Sequence, residues 1–336
     1  MKTSTQIVGG TSVPAQSPAR SVARSGRALD FVALTKPRLN LLVLLTTVAG
    51  LYLASPNGVA LALAAHTLIG TALVAGGAAA LNQVWERETD RRMRRTSSRP
   101  LPRGRLGVAE GTWFGVLLAG AGLVELALGA TLAAAAVAAA TLISYVVVYT
   151  PLKTRTSLAT IVGAIPGALP PVIGWAAASG AAPLNAWLLC AIIFMWTPPH
   201  FWALSLYTSE DYKSAGVPMM PVVAGAASTR RQILIYSVLF LPFAIAPAFT
   251  GLGGAAYLAV SVLGGLVFLI LAFRLHRSRA GESADPRTDD HGLYGVREGA
   301  RDARNLFAFS ILYLTLLFAT LLVEHLAGWA PLELVR

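Results

Sequence analysis

Charge is what this chain most lacks. Asp, Glu, Lys and Arg together make up 13% of its 336 residues, where a soluble domain carries roughly 25%. With 55% hydrophobic residues and a mean hydropathy of +0.62, the sequence reads as a polytopic membrane protein. Cysteine is nearly missing too. Cys190 stands alone inside an apolar run, which excludes an intrachain disulfide and a thiolate metal cluster. No acid precedes Asp30. Residues 1–30 are rich in Ser, Ala, Gly and Arg and read as a disordered tail. A mitochondrial targeting segment, with Arg20, Arg24 and Arg27 on one helix face, is the competing reading.

What is present is apolar and periodic. Nine segments approach the length of about 20 residues that a helix needs to cross a hydrocarbon core: 39–55, 59–82, 107–128, 131–150, 159–178, 185–206, 233–250, 255–273 and 305–326. They lack the apolar/polar alternation of a lipid-facing strand, so an all-α bundle of about nine transmembrane helices is expected. The domain should cover residues 31–326, with a short tail at 327–336. Alternate loops hold 26 of the 27 Lys and Arg residues, and Arg336 is the exception. By the positive-inside rule the N-terminus and the charged loops are cytoplasmic. The net charge of +11 therefore belongs to one leaflet and argues against a nucleic-acid partner.

The densest charge follows the second segment, in LNQVWERETDRRMRRTSSRPLPRGRL at 81–106. If the helix continues past the membrane face, Asn82, Glu86 and Asp90 fall at i, i+4 and i+8 and point one way. An amide oxygen and two carboxylates suit Mg²⁺, a hard cation that leaves positions open for phosphate oxygens. Arg91, Arg94, Arg95 and Arg99 offer forked donors to the same oxygens. The plain alternative is a solvated helix end that only anchors topology. A second acidic cluster, Glu210 and Asp211 with Lys213, stands in YTSEDYKSAGVPMMPVV at 207–223 and reads either as the other half of one polyanion site or as a polar turn ended by Pro218 and Pro221.

Asn-x-x-x-Glu-x-x-x-Asp, followed by Arg-x-Met-x-Arg-Thr and Arg-Pro-Leu-Pro, resembles the first signature of the intramembrane prenyltransferase superfamily that includes the 4-hydroxybenzoate polyprenyltransferases. YTPLKTRTSLATIVGAIPGALPPVIGW at 149–175, TPPHFWALSL at 197–206 and EDYKSAGVPMMPVV at 210–223 are similar to its haem-farnesylating branch. The middle acid is Glu86 where much of the superfamily has Asp, and Ala215 stands where a second acid would follow Asp211.

The resemblance implies transfer of a farnesyl group from farnesyl diphosphate to a vinyl group of haem b, with addition of water, giving haem o and diphosphate for terminal oxidases. It implies a central cavity open near the cytoplasmic face and a Mg²⁺ ion held by Asn82, Glu86, Asp90 and Asp211, which are the expected catalytic residues. Lys153, Arg155 and Lys213 join the arginines as diphosphate contacts. Tyr145 and Tyr149, four apart, would wall the allylic cation, although tyrosines at that depth also belong to an ordinary aromatic belt. His200, titratable inside a span, would meet the haem iron or a propionate, with Trp202 stacking beside it. The expected location is the bacterial inner membrane rather than the mitochondrial one. Farnesyl diphosphate, haem b and the lipid bilayer are the expected partners, with a haem A synthase or oxidase assembly factor downstream.

Two competitors stay open. One is a polyprenyltransferase acting on a quinone-precursor ring, and the other is a nine-span transporter. Pro166, Pro170 and Pro171, with Gly163, Gly167 and Gly174, predict a broken fifth helix beside a cavity. His66 and Glu125 receive no role.

Overall fold

The computed structural model describes residues 26–93, 95–282 and 300–329, and the backbone alone at Glu210, Asp211 and Ser214. The tails and Arg94 lie outside the described residues. Every regular element described is helical: α1 Arg27–Leu34, α2 Pro37–Leu53, α3 Leu61–Arg92, α4 Val108–Gly129, α5 Leu132–Leu152, α6 Ala159–Ser179, α7 Leu184–Tyr207, α8 Ser209–Ser214, α9 Gly225–Phe249, α10 Ala255–Arg277 and α11 Ala300–Leu326. Eight of these are long and apolar enough to cross a bilayer. Helices α1 and α2, bent by 44° at their junction, bring the number to nine if the pair counts as one broken span. The chain is a multi-span membrane protein.

The apolar runs located the spans, but two helix ends lie eight or more residues outside them. Helix α3 continues ten residues past the expected limit of 82, through its charged end to Arg92. Helix α9 begins at Gly225 rather than 233. Arg230 makes that early start tolerable, because its buried guanidinium donates to the Ala280 carbonyl and to Glu282, both at 2.7 Å.

Small residues let the helices approach closely. A Cβ on Gly77 would lie 2.6 Å from the Gly115 carbonyl oxygen, and one on Gly122 would lie 2.6 Å from that of Gly70, so α3 and α4 touch backbone to backbone. Helices α2 and α6 meet in the same way, at Gly50 against Pro171 and at Gly174 against Thr47. The larger side chains Ile192, Trp202, Phe240, Phe268 and Tyr313 fill the core formed by α7, α9, α10 and α11. Leucines such as Leu61, Leu117, Leu128 and Leu263 cover the outer surface, as lipid requires.

Two irregularities shape the interior. The proline-rich helix is interrupted at Leu169, between segments Ala159–Ala168 and Pro170–Ser179, as its composition predicted. A π-helical turn at Ser144–Tyr149 inside α5 was not predicted. Between α2, α3, α5 and α6 lies a mainly apolar pocket of about 180 Å³, with Val74, Ala78, Leu142, Tyr145, Pro166 and Ile173 in its wall together with Lys36 and Asn40.

Candidate active site

Helix α3 carries two different faces at its charged end. Asn82, Glu86 and Asp90 are 1%, 5% and 3% exposed. Arg87, Glu88 and Arg91 pair with one another on the other side, where Glu88 receives Arg87 at 3.3 Å and Arg91 at 3.2 Å. A solvated helix end would expose all six, so the plain topology reading does not account for the inner row.

Each inner group meets a cation from a different part of the chain. Lys36, in the break between α1 and α2, donates to Asn82 Oδ1 at 2.8 Å. Lys153, at the end of α5, donates to both oxygens of Glu86, at 2.9 and 3.0 Å. Arg99, in the loop after α3, reaches Asp90 Oδ2 at 2.6 Å. The amide of Asn82 is fixed on its other side, because Nδ2 donates to Thr150 Oγ1 at 3.0 Å while that hydroxyl donates to the Tyr145 carbonyl at 2.8 Å. The π-helical turn thus serves the site. It brings Thr150 under Asn82 and stacks Tyr145 on Tyr149 with centroids 5.5 Å apart.

Lys36 is outside the sequence expectation. It sits in the break ahead of the first crossing, and burial, with the nearby Arg99 charge acting in the same sense, pulls its ammonium down to about 8 against the opposing pull of Glu86. Thr150 was missed as well.

The remaining predicted residues divide. Arg95 donates to the Tyr212 hydroxyl at 3.1 Å and lies over its ring, joining the loop after α3 to α8. Tyr212, Met93, Ala215, Val217 and Met219 form a buried apolar cluster at that junction. Helix α8 is thereby docked beside the acidic row, and the Asp211 side chain itself lies outside the described residues, as does Arg94. Arg91 turns away from the row, towards Glu88 and the Pro102 carbonyl. Arg155 and Lys213 are exposed.

His200 lies elsewhere, between α7 and α11. Its ring is stacked between Trp196 and Phe307, at centroid distances of 4.1 and 4.5 Å. Nδ1 is 2.7 Å from Ser310 Oγ, and that hydroxyl spends its only proton on the Phe307 carbonyl at 2.6 Å. With the hydroxyl proton so placed, Ser310 accepts from Nδ1 and the assigned tautomer leaves Nε2 as the basic nitrogen. Trp202 corrects an expectation. It is fully buried against Tyr236, about 200° around the helix from His200, so Trp196 is the indole that stacks there. His66 and Glu125, left without a role, pair with each other at 2.8 Å.

The oxygen donors, the cations and the apolar pocket belong together chemically as a site for an amphiphile with an anionic head. Residues 43–291 match the UbiA prenyltransferase family. The chain belongs to that family. Among relatives in the family, the protoheme IX farnesyltransferase of Caulobacter vibrioides is 50% identical over 325 residues, covering 95% of this chain and 97% of its own. That of Caulobacter sp. (strain K31) is 49% identical over 94% of both chains. Among solved structures, a digeranylgeranylglyceryl phosphate synthase superposes with a TM-score of 0.73 at 15% identity, over 90% of this chain and 99% of that one. A UbiA homologue from Archaeoglobus fulgidus, bound to GPP and Mg²⁺, gives 0.60 at 17% identity over 87% and 99%. These two share the family fold. The chain is a prenyltransferase.

Proposed function

We propose that this prenyltransferase moves a farnesyl group from farnesyl diphosphate to a vinyl carbon of haem b, giving haem o and diphosphate. The observation that carries the reading is the buried row Asn82, Glu86 and Asp90, each member met by a cation, next to an apolar pocket. Relatives at about half identity along nearly the whole chain bear the corresponding name.

The donor set fits a divalent metal. It is all oxygen, as Mg²⁺ prefers, and its charge balance suits the substrate. Lys36, Lys153 and Arg99 against Glu86 and Asp90 leave one positive charge among the described side chains. A prenyl diphosphate carrying one Mg²⁺ has one negative charge. Mg²⁺ held by Asn82, Glu86 and Asp90, with Asp211 from α8, would supply Lewis-acid stabilisation of the leaving diphosphate.

The chain's own residues do the rest. Lys153 and Arg99 turn donors towards the diphosphate oxygens as the allylic C–O bond breaks and its electron pair leaves with the phosphate. Tyr145 and Tyr149 present π faces where the allylic cation forms, and the apolar wall around Val74, Leu142 and Ile173 holds the isoprenoid tail away from water. The vinyl carbon of haem closes the new C–C bond. Water then adds to the cation left on the substituent, and its proton departs to solvent. His200, held with Nε2 basic, meets the haem iron.

The bacterial inner membrane is the location we infer, with the N-terminus and the charged face cytoplasmic by the distribution of Lys and Arg. A haem A synthase or an oxidase assembly factor would receive haem o. The test is incubation of the purified protein with farnesyl diphosphate, Mg²⁺ and either haem b or 4-hydroxybenzoate. Farnesylated haem is the expected product, and prenylation of the benzoate alone would overturn the acceptor.

A further inference from the structure

His66 and Glu125 stand where a membrane protein least tolerates them. They lie near the ends of α3 and α4 opposite the charged face, His66 five residues after the start of α3 and Glu125 four residues before the end of α4. Their side chains are 46% and 33% exposed. Closer to those ends, Leu61 and Leu128 are 86% and 83% exposed. The apolar outer surface therefore continues past the pair, which stands within the hydrocarbon rather than above it.

The pair is seated by the backbone beneath it. Gly129 makes room for the imidazole, since a Cβ there would lie 2.4 Å from His66 Cγ. Nδ1 is 2.8 Å from Glu125 Oε1, and among the described residues neither side chain has a further hydrogen bond. An acid–base pair facing lipid is neutral as a whole, because a net charge there is costly. Whether the shared proton sits on Nδ1 or on Oε1, the other ring nitrogen then keeps its hydrogen. One donor, Nε2–H, and one acceptor, Oε2, are left unused side by side at a single depth.

The surface around them is made of small residues. On α4, Gly120 and Ala121 are exposed about one turn from Glu125, and a Cβ on Gly120 would meet nothing within 4 Å. On α3, Ala62 and Ala65 flank His66 and are exposed as well. Packing within one copy gives Gly120 no task, whereas small residues on a lipid-facing surface let another helix come close.

A donor beside an acceptor at one depth is self-complementary. A two-fold axis along the membrane normal keeps both copies in the same orientation and sets His66 of each against Glu125 of the other. We propose that a second copy of this chain docks on this face of α3 and α4, with each His66 Nε2–H donating to Oε2 of the other copy's Glu125.

The test counts subunits by single-molecule photobleaching of the full chain in phosphatidylcholine vesicles over a range of protein densities. The wild type should pass from monomer to dimer. His66→Leu combined with Glu125→Leu removes both polar groups and strands neither, and it should need about tenfold or more protein to dimerise, the scale of two lost interhelical hydrogen bonds. Gly120→Leu fills space that is empty in a single copy and leaves the seam between α3 and α4 untouched, so it should block the dimer with thermal unfolding unchanged. A wild type that stays monomeric at every density would overturn the proposal. So would a dimer that either variant forms as readily as the wild type. A monomer whose unfolding temperature rises through His66 and Glu125 when phosphatidylglycerol is added would assign the pair to a lipid headgroup, and also overturns it.

Discussion

Lys153 places its ammonium on both carboxylate oxygens of Glu86, across 67 residues of sequence. The pair ties the end of α5 to α3, and the Glu86 side chain is 5% exposed. Removing one partner of a buried pair leaves the other charge stranded, at roughly 3–5 kcal/mol. The cost should be smaller here, because 21% of the Lys153 side chain still sees solvent. Lys153→Met should therefore lower the unfolding temperature in micelles and abolish turnover. Adding Glu86→Gln should restore the unfolding temperature and leave turnover absent. A double variant no more stable than the single one would show that the pair is not what holds this junction.

Asp90 has a different partner, Arg99, at 2.6 Å. If Asp90 ligates the metal as proposed, an amide in its place weakens the site. Asp90→Asn should lower turnover by roughly 10²-fold or more, the scale of a lost transition-state contact, while the protein stays folded in the membrane. Rescue to wild-type turnover at saturating Mg²⁺ would end its assignment as a ligand.

Asp211 is tested by non-additivity. If it completes the site from α8, Asp211→Ala should depress turnover as far as Asp90→Asn, and the double variant should be little worse than either. Residues acting as one unit lose their function together. Multiplying losses in single-turnover rates would mean that the two loops serve separate purposes.

How much of this was legible depends on which physical signal each residue left. The spans were plain because lipid demands long apolar runs, and Asn82, Glu86 and Asp90 were plain because a four-residue spacing keeps one helix face. Lys36 left no signal of either kind. It is one of six positive residues ahead of the first span, all of which satisfy the topology rule, and its left-handed turn is held by the nearby Asn40 and by Gln83, which only tertiary structure brings near. Arg91 is exposed because helical phase separates it from the row by one position after Asp90. The same argument applied to α7 would have chosen Trp196, four residues before His200, over Trp202, two residues after it. Thr150 was hidden by the π-helical turn, which shifts the phase of α5.

Glu324 marks a region remote from the site. Its carboxylate is 3% exposed and accepts the Gly254 and Tyr257 amides, at 2.6 and 2.9 Å, capping the start of α10 from α11. Glu324→Ala leaves two buried donors without partners and should cost about 1–3 kcal/mol for each. Glu324→Gln keeps one acceptor and should cost less. Neither change should alter the KM for farnesyl diphosphate. A shift in KM with unchanged thermal unfolding would reverse the assignment.

The acceptor is tested through His200 and the hydroxyl that fixes its tautomer. In the tautomer assigned from the Ser310 contacts, Nε2 is the nitrogen offered to a metal. Trp196 and Phe307 hold the ring between them, so its direction is set before any ligand arrives. His200→Ala should weaken haem binding and shift the bound haem's optical spectrum. Mg²⁺-dependent binding of farnesyl diphosphate should persist, since the site proposed for it consists of Asn82, Glu86, Asp90 and Lys153. Ser310→Ala should be milder: the same kind of spectrum with weaker haem affinity, because Nε2 is still present but no longer fixed as the basic nitrogen. Unchanged affinity and spectrum in His200→Ala would make the stacked imidazole a structural plug between α7 and α11, and would move the search for the acceptor to the face of the apolar pocket near Tyr145.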